Sequence, residues 1–260
     1  MQISAASTAL TIARSAKKLD VELPADYLDA LAHAEEVAAV VATIYRSTPV
    51  ALHHAVLDAI SAGRDHTTDP LVLRHLVGQQ IAASGIESTA RARADSDLRA
   101  LLVDYADLIL EDWAEALEPH TAALVAATKA FPGQDLIAAD VIRQGGEVMH
   151  HAHAVQLATS AWMAAVQGFD AFAMVARVAR TGHLALVYTA APAAQFALAA
   201  EAARTSGAEI SPQILVEHGV PLQLPTLVEY RERTATFEVD RLAAEQAEKI
   251  RRDDAVARTW

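Results

Sequence analysis

One short stretch of the chain, residues 147–153 with the sequence EVMHHAH, concentrates side chains that metal-dependent enzymes use. On a helix, residues three and four apart are neighbours, so Glu147 shares a face with His150 and His151. Carboxylate and imidazole groups are ligands of iron, manganese and zinc. One hypothesis is therefore a divalent metal held by Glu147, His150 and His153 with a carboxylate of the acidic stripe described below. The protein would then be a helical-bundle enzyme that is metal-dependent or binds a small molecule.

The same stretch also has an ordinary interpretation as a helix surface. Neighbouring histidines cannot all point in one direction, and a helical Glu with a His four residues later often forms only a local ion pair. A carboxylate-bridged di-iron bundle needs two Glu-x-x-His pairs, and the sequence contains one. We therefore predict no cofactor, and keep a divalent metal as the alternative.

Other catalytic motifs are missing from the sequence. The chain has no cysteine, which excludes thiolate nucleophiles, disulfides and zinc fingers. It has no Gly-x-Ser-x-Gly elbow and no His-Glu-x-x-His helix, and no Lys-Ser or Lys-Thr follows Gly145-Gly146 as in a phosphate-binding loop. His53-His54 has Asp58 nearby but no evident nucleophile in sequence. The question of an enzyme stays open, and the sequence favours a non-enzymatic protein.

An acidic stripe marks the strongest helical pattern, which begins near Ile86. Apolar residues recur there at steps of three and four, and acidic residues at the same steps follow another face. The acidic residues are Asp104, Asp107, Glu111, Glu115 and Glu118. Such a stripe is most often an ordinary solvated helix face; the functional alternative is that these residues bind a basic partner. Arg91, Arg93 and Arg99 precede the stripe, so pairing between copies of the chain is a further alternative.

A second candidate partner-binding segment is the apolar, proline-containing stretch from Ser211 to Pro225. Because residues before proline favour extended backbone, we predict an extended arm. The arm is expected either to pack against its own domain or to lie across a neighbouring protein. Its candidate binding residues are Ile214, Val216, Val220, Leu222 and Leu224.

The composition and the helix boundaries predict an all-α protein or nearly so. Alanine, the strongest helix former, accounts for 59 of the 260 residues. Helix starts are expected at Pro24, Pro49 and Asp69-Pro70, and stops at Gly63 and at Phe131-Pro132-Gly133. Pro119 is expected to begin a further helix, and Gly168 to interrupt a later one. We predict a multi-helix bundle with an extended proline-containing arm and a C-terminal helix.

The chain is expected to have three segments. These are a helical bundle at 1–182, an apolar helix with the extended arm at 183–225, and a charged helix at 226–260 that begins with the capping-box pair Thr226 and Glu229. The alternative fold is α+β, with a small strand-helix-strand unit at about 183–217. The apolar window 182–200 contains Pro192 and Gln195 and is rich in alanine, so we predict that it lies inside the protein and not in a membrane.

The net charge of the chain limits the classes of binding partner that we expect. A formal charge of −12 disfavours direct binding to nucleic acid or to anionic membranes. The first apolar residues precede the basic ones, the reverse of a secretory signal, so a cytoplasmic location is expected. We predict a non-enzymatic helical subunit or assembly factor, in a homo-oligomer or a larger protein complex. A phage-type structural or assembly component fits this description, and an acidic inhibitor of a nucleic-acid-binding protein is a further alternative.

Overall fold

The computed structural model describes residues 4–44, 49–83, 86–133, 146–178, 185–207 and 209–257. These residues form eleven helices and no strand, which confirms the predicted all-α fold. None of the described helices is long and apolar enough to cross a membrane. The helices are α1 Ala5–Leu19, α2 Ala25–Ile44, α3 Pro49–Ser61, α4 Pro70–Ala83, α5 Ile86–Asp104, α6 Ala106–Ala130, α7 Gly146–Val175, α8 Ala185–Tyr188, α9 Ala193–Ser206, α10 Pro212–Glu217 and α11 Leu227–Ala257.

The α+β alternative is wrong for the described part of the range 183–217. The two expected strands are 184–188 and 214–216. The described part of the first, 185–188, is the short helix α8, and 214–216 lie inside the short helix α10. Between them lies α9, which ends at Gly207 in the left-handed conformation, as a C-terminal glycine allows.

The chain forms two compact units. Unit 1 comprises residues 1–7 and 24–102, and unit 2 comprises residues 8–23 and 103–260. This division differs from the three expected segments, because α10 and α11 pack against α6 and α7 inside unit 2.

Unit 1 contains a helical hairpin, α3 and α4, whose core consists of small residues. Ala55, Ala59 and Val72 are buried there, and Leu52 and Val56 pack against them. Asp69 begins α4 as predicted, since its carboxylate accepts the Leu71 N–H at 2.9 Å. Asp69 also pairs with Arg64.

Unit 2 is built around α6 and α7, which pack along each other. Its core contains the fully buried aromatic side chains Trp113, Trp162, Phe169 and Phe172. The ring of Trp113 lies 6.0 Å from that of Phe172. Large aromatic rings remove much apolar area from water, so these four side chains contribute strongly to the hydrophobic stabilisation of the unit.

Gly168 does not interrupt α7, contrary to the sequence prediction. The helix runs unbroken from Gly146 to Val175. A Cβ atom at position 168 would lie 2.1 Å from Cζ3 of Trp113. The glycine therefore allows an indole ring to approach the backbone of α7 closely, and it does not end the helix.

Pro119 does not begin a helix either: it lies inside α6. Proline in a helix interior removes one backbone hydrogen bond and disfavours the helix by about 3 kcal/mol. Burial of Leu117 and Leu124 on either side offsets this. The actual break in this region is at Tyr105, between α5 and α6, where φ is −96° and ψ is −3°. The backbone stays near helical values there, so no loop intervenes.

Candidate functional site

The proline-containing segment 211–225 is only partly extended. Ser211 caps α10 by accepting the Ile214 N–H at 3.3 Å, and Pro212 occupies the first turn. Residues 212–217 are therefore helical, which corrects the expected extended arm over this half. The helix ends at His218, and Gly219 follows with a φ of 71°.

The segment packs on its own unit. Val216, Val220 and Leu224 are 8%, 2% and 3% exposed, whereas Ile214 and Leu222 are half-buried. The Gln223 N–H donates a hydrogen bond of 2.7 Å to the Tyr188 carbonyl. Of the two expected positions for the arm, the structure therefore shows packing against its own domain.

Arg233 on α11 ties this segment to α8. One nitrogen of its guanidinium donates to the carbonyls of Leu186 at 3.2 Å and Gln223 at 3.0 Å. Burial lowers the pKa of Arg233, and the carboxylate of Glu229 opposes this shift. Because both acceptors are backbone oxygens, the contact fixes the chain path of 222–224 whatever side chains it carries.

The acidic stripe occupies α6 and the end of α5. Asp104, Glu111, Glu115 and Glu118 are exposed, in agreement with a helix face that meets solvent or a partner. Asp107 differs from these four, because its half-buried carboxylate accepts the Leu227 N–H at 2.7 Å. It therefore helps to hold the start of α11.

The stripe and the proline-containing segment meet in one groove of about 460 Å³. Its floor contains Leu117, Trp162 and Leu224, which are nearly fully buried. Glu115 and Glu118 stand exposed at its edge. We call this feature the acidic groove; its full lining is Ala114, Glu115, Leu117, Glu118, Thr121, Ala122, Trp162, Leu222, Gln223 and Leu224. Two surfaces that the sequence predicted separately thus form one site.

The indole of Trp162 is fixed in the groove floor. Its Nε1 donates to the Thr121 hydroxyl at 3.2 Å, and its ring lies 5.9 Å from that of Tyr188. Burial raises the pKa of Tyr188 to about 12, with further contributions from the carboxylates of Asp170 and Glu209. Tyr188 is therefore neutral at neutral pH, and it packs as an uncharged ring against Trp162.

Two of the three basic residues that precede the stripe, Arg93 and Arg99, are paired within their own helix. Arg93 contacts Asp97 at 3.0 Å and Arg99 contacts Asp95 at 2.7 Å, each four residues away on α5. These contacts reduce the positive charge that α5 can offer to a second copy of the stripe. Self-association through α5 therefore gains no support.

The EVMHHAH stretch lies in the first turns of α7, where Glu147, His150 and His153 are exposed. The ring of His151 instead packs edge-on against Phe131 at 5.3 Å. Within the described residues, no three His, Asp or Glu side chains lie close enough together to hold a metal ion. The metal site stays a prediction, which metal analysis of protein purified without a histidine tag tests. Position 145 lies outside the described residues.

Sequence reasoning missed the central part of the groove. Trp162 and Thr121 belong to alanine-rich helices, and only their shared hydrogen bond identifies them as a pair. Their spacing along the chain gives no sign of this contact, although a tryptophan in an alanine-rich helix is a usable hint.

Comparison with known proteins found no family model, no curated protein and no solved structure that matches this chain.

Proposed function

We propose that this protein is a non-enzymatic helical subunit or assembly factor that binds a segment of another protein in the acidic groove. The observation that carries the proposal is the position of Glu115 and Glu118 beside an apolar floor that contains Trp162. Such a groove is complementary to a helix that carries both large apolar and basic side chains.

The two parts of the groove have different roles in binding. Burying a Leu or Phe side chain of the partner contributes roughly 1.5–3 kcal/mol, whereas an exposed Glu–Lys pair contributes about 0.2–1 kcal/mol. The apolar part of the groove, where Ala122 and Leu222 are accessible above the buried floor, therefore supplies most of the affinity. The two glutamates select basic partners and speed their association, because charges at the edge of an interface act mainly on the rate of encounter.

A subunit role is also consistent with the surface of the α3–α4 hairpin. Val50, Leu57 and Ile60 are 60%, 59% and 55% exposed there. These residues lie seven and three positions apart on α3 and so share one side of it, and an exposed apolar helix face is a feature of proteins that work in contact with other proteins.

The test uses a fluorescent amphipathic peptide of leucine and lysine, compared with its leucine–glutamate counterpart, and measures anisotropy with the full chain. We expect the lysine peptide alone to bind, with an affinity that falls as salt rises. Replacing both Glu115 and Glu118 with glutamine should weaken binding about tenfold at low salt. Leu222→Ser should weaken it at all salt concentrations.

The matched control replaces Asp104 with asparagine and Glu111 with glutamine. Both are exposed acids of the same stripe outside the groove, so the total charge changes equally. Equal weakening by the control pair would show binding to the general negative charge of the protein and would reject the groove. If the chain forms a dimer that dissociates when Glu115 and Glu118 are replaced, the occupant of the groove is a second copy of the chain and not another protein.

A further inference from the structure

A second cavity, of about 640 Å³, lies between α1 and α7 in unit 2 and differs in charge from the rest of the protein. Arg14, Lys17 and Lys18 of α1 line it, together with Thr11 and with Gln167 and Asp170 of α7. Three cations and one carboxylate thus share one cavity in a chain with a formal charge of −12.

The backbone of α1 is held firmly beside this cavity. The buried Ser15 hydroxyl donates a hydrogen bond of 2.7 Å to the Ala164 carbonyl of α7. Ile12, Ala16 and Leu19 are buried, so one face of α1 is fixed in the core. The three cations follow the helix spacing of three and four residues, which places them together on another face.

Within the described part of the chain, Arg14, Lys17 and Lys18 form no ion pair. Three neighbouring positive charges repel one another, and together with the single carboxylate of Asp170 they give the cavity lining a formal charge of +2. Lysines in the last turn of a helix also interact favourably with the negative end of the helix dipole, as Lys129 does at the end of α6. That effect accounts for Lys17 and Lys18, which lie in the last turn of α1; it does not account for Arg14 or for the position of all three cations around one cavity.

We propose that this cavity binds a small soluble ligand that carries a phosphate dianion, such as a phosphate ester or a pyrophosphate. The Arg14 guanidinium matches two phosphate oxygens at once, and the lysine ammonium groups supply further charge. The hydroxyl of Thr11 and the amide of Gln167 are the uncharged donors at the same site. The volume lies within the range of about 300–1,000 Å³ that is common for small-molecule sites. This proposal is independent of the acidic groove.

The test is calorimetric titration of the full chain with inorganic pyrophosphate, with ionic strength held constant by sodium chloride. We expect saturable binding and an increase in Tm with ligand concentration. Replacing Arg14, Lys17 and Lys18 together with glutamine should weaken binding at least about a hundredfold, because each charged hydrogen-bonding group commonly contributes tenfold or more. Circular dichroism checks that the variant is folded.

Lys129→Gln is the matched control, because it removes an exposed helix-end lysine outside the cavity. Its affinity for pyrophosphate should equal that of the unchanged protein. No saturable binding, or equal binding by the triple glutamine variant, would overturn the proposal. Retention on phosphatidic-acid vesicles without any response to pyrophosphate would also overturn it, since the ligand would then be a lipid headgroup. The leucine–lysine peptide should still bind the triple variant if the groove proposal holds.

Discussion

The packing of unit 2 requires a residue without a side chain at position 168, which is Gly168. The indole of Trp113 occupies the space where the Cβ of any other residue would stand, with the nearest ring atom 2.1 Å from that position. The Cβ atom of Ser15 on α1 lies 3.1 Å from the same position. Both neighbouring helices therefore depend on the small size of this residue.

We predict that Gly168→Ala lowers the free energy of unfolding by roughly 1–3 kcal/mol, because the buried indole has to shift. Thermal or urea unfolding measures this loss. Gly146→Ala is the control, since a Cβ there meets no heavy atom within 4 Å. A stability of Gly168→Ala equal to that of the control would contradict the assigned role of this glycine.

Asp95 connects α5 to the beginning of α1 within unit 1. Its carboxylate accepts the Ala5 N–H at 3.0 Å and contacts Arg99 at 2.7 Å. These two contacts, the backbone one first, lower the pKa of Asp95. A carboxyl group whose pKa is lowered by folding stabilises the protein above its unfolded pKa, and this contribution is lost as the pH falls through the folded pKa.

We therefore predict that Asp95→Asn lowers stability by up to about 1 kcal/mol at pH 7, a modest value because 38% of the Asp95 side chain is exposed to solvent. The difference should begin to shrink as the pH falls below the ordinary Asp pKa of about 3.9, and it should vanish only below the lower pKa of the folded protein. Urea unfolding at several pH values measures both effects. Asp97→Asn, which removes an exposed pair with Arg93 on the same helix, should show the smaller change. A difference that grows at acidic pH would contradict this assignment.

The sequence identifies local contacts of single residues but not distant ones. Asp69, and the pair Thr226 and Glu229, are predicted and observed as caps, because capping joins residues two or three positions apart. The partner of Gly168 lies 55 positions away, so the pattern of glycines alone suggested a helix end. The hydrogen bond between Trp162 and Thr121 was missed for the same reason.

Among the elements, α6 and α11 are joined at the point where α11 begins. The Thr226 N–H donates to the Glu229 carboxylate at 2.9 Å, and the Glu229 N–H donates to the Thr226 hydroxyl at 3.1 Å. The next N–H, of Leu227, donates to Asp107 on α6. The first turn of α11 is thus capped partly by itself and partly by another helix.

We predict that Asp107→Ala lowers stability by about 1 kcal/mol, the usual effect of removing a helix cap. Asp104→Ala, the exposed acid one turn earlier, should leave stability within about 0.5 kcal/mol of the unchanged protein. Urea unfolding followed by circular dichroism measures both variants. Equal stability of the two would mean that Asp107 is an ordinary member of the acidic stripe.

The order of helices was largely predictable, whereas two proline-containing regions were not. Alternating apolar residues around Pro212 and Pro221 suggested extended backbone, yet Ser211 and Pro212 are also a helix-start pair. A helix of six residues is too short to show helical periodicity. Contacts with the rest of unit 2 therefore decide between a helix and extended backbone here. At Pro119 the opposite occurred: burial of neighbouring leucines sustains a helix that the local sequence would end.

Across the whole molecule, the two units differ in the side chains that form their cores. In unit 1 the α3–α4 hairpin buries mainly Ala55, Ala59 and Val72. In unit 2, α6 and α7 bury tryptophan and phenylalanine side chains, which remove far more apolar area from water than alanine does. Local opening should therefore require less free energy in the hairpin than in the α6–α7 pair.

We predict that hydrogen exchange, followed by mass spectrometry, is slowest in peptides from 106–117 and 158–173 and at least tenfold faster in peptides from 50–60 and 71–81. The peptides from both units come from one sample, so solvent conditions are identical and each unit is the control for the other. Equal protection would mean that the exposed side chains of α3 and α4, such as Leu57 and Ile60, are covered in solution. In that case the mass of the protein in solution should exceed that of one chain. A second copy that buries these side chains would raise the stability of the hairpin, with its core of small residues, to that of the aromatic core.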